Sequence, residues 1–307
     1  MERGRFSETP AAAVARRLVL ESAAVEVYEA LAAAGVRSIV LKGPAVARWL
    51  YEDDPTRSYV DVDLLVSPAS LPAAGSTLKR LRFRRAHGSA HAEVWGRSSD
   101  GVVIDLHSSL VGVAPGSVAW DTLAEATEPL EVGGGTLDVL TGPAKALHVV
   151  LHAAQHGIGD ERSVADLERA LSRVEEREWD EAAALARRLG AEGAFASGLR
   201  LTPVGREEAA RLGLPEGRSL ETAVRAAGAP PGVLGLYRFA KTPGVRARAR
   251  LLRDEVFPAP GFLRAVSPLA RRGRVGLAVA YAWRPFWLVS RLWPAVRTWR
   301  RARRSFR

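Results

Sequence analysis

The segment Arg57-Ser-Tyr-Val-Asp61-Val-Asp63-Leu-Leu-Val66 places two carboxylates, one residue apart, inside a run that otherwise has the apolar, β-branched character of a buried strand. Side chains alternate faces along a strand, so residues two apart share a face and the two oxyanions stand side by side. Like charges that close need a counter-cation. Paired carboxylates with room left for phosphate oxygens suit a Mg²⁺ site. A solvent-facing D-x-D at a strand end is the plainer alternative, and the surrounding sequence decides between them.

Working outward, Ala11 to Ala34 is rich in Ala, Leu, Glu and Arg and reads as a long amphipathic helix ended by Gly35. Val36 to Leu41 is a short apolar strand, followed by Lys42-Gly43-Pro44, with Pro44 placed to open a helix to about Tyr51. Asp53 to Thr56 is a turn cluster, and a helix is expected from Ser67-Pro68 to about Leu81. Arg82 to Arg97 reads as a hairpin turning at His87-Gly88. Gly101 to His107 is a third strand, with Asp105 near its end, and the strands form a small mixed sheet through about Asp138. Beyond Gly142 the pattern is almost wholly helical, with helices expected over Pro143–Gln155, Val164–Val174 and Asp180–Leu189. The fold class expected is α+β, divided into residues 1–140, a helical part 141–268 and a basic, aromatic segment 269–307.

Three features converge if these strands pair: Lys42-Gly43 after the first, Asp61 and Asp63 on the second, Asp105 on the third. Glycine between strand and helix lets backbone approach a phosphate, and Lys42 offers a point charge to a β- or γ-phosphate or serves as a solvated flank. His107 is expected on the opposite strand face from Asp105, as a supporting or core residue rather than a ligand.

Leu41-Lys42-Gly43, Leu50-Tyr51, Pro55-Thr56-Arg57, Asp61-Val-Asp63-Leu-Leu-Val66 and Asp105-Leu-His107 occur in an order and spacing that resembles the nucleotidyltransferase superfamily with the polymerase β-like palm, and within it the bacterial uncharacterised nucleotidyltransferases. The likeness continues through His152, His156 and Asp166 to Phe257-Pro258, Ala280-Tyr281 and Arg284-Pro285. It departs at Lys42-Gly43-Pro44, where the wider superfamily has Gly-Ser. The resemblance implies a nucleotidyltransferase palm domain, a nucleoside triphosphate (NTP) as substrate and a hydroxyl acceptor whose identity stays open. Asp61 and Asp63 would ligate two Mg²⁺ ions, with Mn²⁺ as a substitute. Asp105 would bind one of them and help deprotonate the acceptor, and Lys42, Gly43 and Arg57 would attend the triphosphate. Arg57 has an equally good alternative as a structural partner for a carboxylate.

Two other signals compete. His148, His152 and His156 recur at i, i+4 steps, which raises a histidine-metal hydrolase; the first and third lie about 12 Å apart along a helix, so at most two share an ion, and helix packing or acceptor lining is preferred. Residues 271–307 contain 11 arginines and no acid, which accounts for the whole net charge of +10, so contact with an anionic surface belongs to this segment and not to the body. Its apolar run is interrupted by Arg284, Pro285 and Arg291 and is not expected to span a membrane. A non-catalytic nucleotide-binding or scaffold protein with a basic tail is the alternative to an enzyme. The chain has no cysteine and its N-terminus does not read as a signal peptide, so a cytoplasmic protein, peripheral at a membrane at most, is expected.

Overall fold

The computed structural model describes residues 10–52, 59–88, 91–113, 119–216, 244–258 and 267–304 apart from 271, with isolated positions at 239, 242, 260 and 263. Two units emerge: Met1–His148 with Ser172–Leu189, and Val149–Leu171 with Gly190–Arg307.

The first unit is built on a sheet. Helix α1 (Pro10–Ala33) leads through Gly35, at φ 72°, into β1 (Ser38–Val40). Then come α2 (Pro44–Leu50), β2 (Val62–Val66), a 3-10 turn at Pro68–Ser70, α3 (Leu71–Arg80), β3 (Arg84–Gly88), β4 (Ala92–Gly96) and β5 (Val103–His107). A short α4 (Ala119–Ala124) precedes the hairpin of β6 (Thr127–Val132) and β7 (Gly135–Leu140). The strand order is β3-β4-β5-β2-β1-β7-β6. β2 runs parallel to β5 and β1 parallel to β7, while the other neighbours are antiparallel.

Helical patterning explains why α1 and α3 cover one face. Leu20, Ala24, Val27 and Leu31 repeat at three- and four-residue steps and pack, with Ala74 and Leu78 of α3, on Val40, Leu64, Val66, Ile104, Leu106, Leu137 and Val139. Gly75 is placed so that a Cβ would lie 3.2 Å from the Trp95 ring, so the absence of a side chain lets α3 settle on β4.

Two details of the sheet differ from the sequence reading. His87 and Gly88 still pair with Val94 and Glu93, so the β3–β4 turn falls after them: bridging a bulge between Arg85 and His87 lengthens the strand. The β6–β7 hairpin was not legible as two strands. β6 is an edge strand that carries Glu128, Pro129 and Glu131, which blurs its apolar alternation; Gly133 and Gly134, at φ 58° and 86°, supply the tight turn.

The remainder is helical, as the sequence predicts: α5 (Gly142–His156), α6 (Glu161–Arg173), α7 (Glu176–Arg188), α8 (Glu192–Leu199), α9 (Pro203–Arg211), α10 (Val245–Val256) and α11 (Gly273–Arg304). The Asp53–Thr56 turn and Arg57 lie outside the described residues.

Candidate active site

β2 and β5 each carry one wholly apolar face, and on the other face Asp63 stands with Leu65 and Asp105 with Val103 and His107. Parallel pairing sets Asp63 beside Asp105 and Leu65 beside His107. Leu64, Ile104 and Leu106 point to the α1–α3 layer, so Asp63, Asp105 and His107 share the other side. The expectation for His107 is therefore corrected. It lies two residues from Asp105, and a two-residue step returns a strand to the same face; in β5, residues 103, 105 and 107 are partly exposed while 104 and 106 are buried.

One ligand atom from each of Asp63, Asp105 and His107 lies within 4.8 Å of the other two, the only such group of three found among the described residues. The His107 Nε2–H donates to Asp63 Oδ1 at 3.1 Å, and Lys42 Nζ stands 3.8 Å from the same oxygen. Lys42 is partly buried and supplies a positive charge beside the paired acids. Asp61 precedes β2, stands outside the close group and couples to it through charge.

The electrostatics follow from burial and sign. Burial pushes the Asp63 carboxyl up, but Lys42 and the His107 hydrogen bond outweigh it and hold the group well below the usual carboxylate range. Asp61 is raised, by burial and then by Asp63. Asp105 is pushed to about 6, by burial first and then by the charges of Asp63 and Asp61. Its Oδ1 is buried with no hydrogen-bond partner among the described residues. A buried carboxylate oxygen left without a donor, facing a second carboxylate and an imidazole, fits a divalent cation. His148, buried on α5, is driven down to about 3 by burial and then by Lys42, so it stays uncharged beside the acids.

The turn from β1 into α2 is braced from below. Gly43 adopts φ 66°, and a Cβ there would be strained and would lie 3.4 Å from the Tyr59 ring. The Tyr59 hydroxyl donates to Glu21 Oε1 at 3.2 Å, and Arg17 Nε donates to the same oxygen at 2.9 Å. Burial and then Glu21 push the Tyr59 hydroxyl up, which keeps it a donor. Glu21 is 4% exposed in the middle of α1. This brace was missed in the sequence, where Glu21 looks like any acid on a long helix.

The three histidines of α5 have different surroundings. His148 belongs to the electrostatics of Asp63, whereas His152 Nδ1 hydrogen-bonds Ser163 Oγ at 3.0 Å and its ring lies 4.4 Å from that of His156. Ser163 in turn donates to Asp160.

The family model described as uncharacterised nucleotidyltransferase matches residues 2–204, and the chain belongs to that family. It is a transferase of the nucleotidyl-transferring kind. Among solved structures it is similar to the antibiotic-resistance factor ANT(2″)-Ia in solution, with 13% identity, a TM-score of 0.40 and coverage of 56% of this chain and 95% of that one. ANT(2″)-Ia in complex with adenylyl-2″-tobramycin gives 12%, 0.41, 55% and 98%. An antigenic nucleotidyltransferase-like protein from Paracoccidioides brasiliensis gives 16%, 0.37, 56% and 85%. No curated protein sequence matches the chain. No described helix is long and apolar enough to cross a membrane.

Proposed function

We propose that this chain transfers a nucleoside monophosphate from an NTP to an acceptor hydroxyl, with Asp61, Asp63 and Asp105 holding Mg²⁺, two ions in the working enzyme, and Mn²⁺ able to replace it. The observation that carries this reading is the convergence of Asp63, Asp105 and His107 within 4.8 Å, with Asp105 Oδ1 buried and given no donor among the described residues. A divalent cation bound there supplies charge stabilisation to the oxygens of an in-line displacement. Asp105 is assigned the role of general base: its carboxylate takes the proton of the acceptor hydroxyl as that oxygen bonds to the α-phosphorus, and pyrophosphate leaves with the electrons of the broken bridging bond. His107 orients Asp63 through its hydrogen bond, and His148 adds no competing positive charge. Lys42, whose ammonium stands 3.8 Å from Asp63, is the cation assigned to the triphosphate; Gly43 lets the backbone of that turn come close, and Arg57 is the further cation assigned to phosphate.

The presence of all three acids favours catalysis over a non-catalytic scaffold. Incubating the protein with each of four labelled NTPs, Mg²⁺ or Mn²⁺ and cell extract tests the reading. Wild type transfers label and Asp63→Asn loses roughly 10³-fold or more, as expected when a charge that stabilises the transition state is removed. Undiminished transfer by a folded Asp63→Asn protein would reject the assignment.

A further inference from the structure

Helix α11 has two unlike faces. On one, Ala280 packs with Leu263 and Ala270, flanked by Leu277 and Tyr281. There the Tyr281 hydroxyl donates to the Pro258 carbonyl at 2.6 Å, and buried Arg284 donates through Nε to the Glu255 carbonyl at 2.8 Å. The other face carries Val275, Val279, Trp283, Phe286 and Val289, all exposed, with Trp283 at 60% and Phe286 at 69%. Successive steps of four, four, three and three residues keep these five on about one third of the helix circumference. The Trp283 and Phe286 rings lie 6.2 Å apart. In the same unit α10 exposes Arg246, Arg248, Arg250 and Arg253 together with Val245 and Leu252.

We propose that this face docks on an anionic lipid bilayer, with α11 lying in the plane of the interface. An apolar stripe with aromatic rings on a strongly cationic helix is what such a surface takes: the rings and valines enter the acyl boundary while arginines meet the headgroup charge. Two other occupants fit less well. Nucleic acid would use the rings for stacking and the arginines for phosphate, but gives Val275, Val279 and Val289 nothing to bury against. A second copy of the helix would set arginine against arginine, since residues 271–307 contain 11 of them and no acid to pair with. The helix lies on the bilayer and does not cross it, in keeping with its hydropathy.

Cosedimentation of the full-length protein with vesicles tests this. Adding phosphatidylglycerol to phosphatidylcholine vesicles strengthens binding about tenfold or more, and high salt reverses the gain. Trp283→Ser with Phe286→Ser lowers vesicle binding by roughly tenfold or more, because two buried rings are lost, whereas Phe286→Leu retains it. Both side chains are exposed, so the melting temperature of the double variant matches wild type; the lipid comparison on wild type needs no variant at all. Equal binding to the two vesicle types overturns the proposal. So does a dimer, seen by light scattering, that the double variant dissociates, or tighter binding to RNA than to phosphatidylglycerol vesicles.

Discussion

Leu64 and Asp63 are neighbours on β2, as Leu106 and Asp105 are on β5, yet they serve opposite sides of one sheet. The α1–α3 side is a core dominated by Ala, Leu, Val and Ile. The other side brings together two carboxylates, an imidazole and an ammonium. The contrast teaches that a single strand pair supports stability and chemistry separately, because alternation keeps the two side-chain sets apart.

The comparison breaks most sharply under paired substitution. Asp63→Asn is expected to remove transfer while the fold persists; Leu64→Ala is expected to cost about 2–5 kcal/mol of stability, read from denaturant unfolding, while transfer per folded molecule is retained. If Leu64→Ala instead abolished transfer in protein that remained folded, the two faces would not be separable. His107→Gln probes the boundary between support and coordination. Loss of its hydrogen bond to Asp63 is expected to weaken Mn²⁺ binding about 10–100-fold by calorimetry, against little change in overall stability.

Asp105→Asn sharpens the comparison through pH. The native carboxyl titrates at about 6, against 3.8 unperturbed, so the folded chain holds this proton more tightly than the unfolded one. Its contribution to stability is present below about pH 4, declines as pH rises and is lost above about 6. Without metal at pH 7, Asp105→Asn is therefore expected to stabilise the protein by about 1–2 kcal/mol, a value reduced for partial solvent screening, and to give no gain at pH 4. The smallest effect belongs to Tyr59→Phe, which removes one hydrogen bond to Glu21 and is expected to cost about 1 kcal/mol in thermal or urea unfolding.

Much of the architecture is legible in the sequence. Pro44, Gly35 and the Asp61–Val66 run marked their elements to within a residue or two because start, stop and periodicity are local properties. The β6–β7 hairpin was not, since an edge strand with Pro129 and two acids lacks the contrast that marks a buried one. His107 was legible in principle: the same two-residue rule that joined Asp61 to Asp63 joins Asp105 to His107. His148 and Glu21 had no such signal, because their roles depend on what packs against them.

By itself the sequence determined which residues alternate on which strand, where helices begin and end, and where the arginines collect, for all of these follow from neighbours along the chain. Only the tertiary structure decided that β2 pairs in parallel with β5 at the register that sets Asp63 beside Asp105. That register also brings Lys42 and His107 to the same carboxylate oxygen and leaves one oxygen of Asp105 without a donor among the described residues. The physical reason is range: alternation is fixed by backbone geometry at each residue, whereas the hydrogen bond between Asp63 and His107, 44 residues apart, exists only once the sheet has closed.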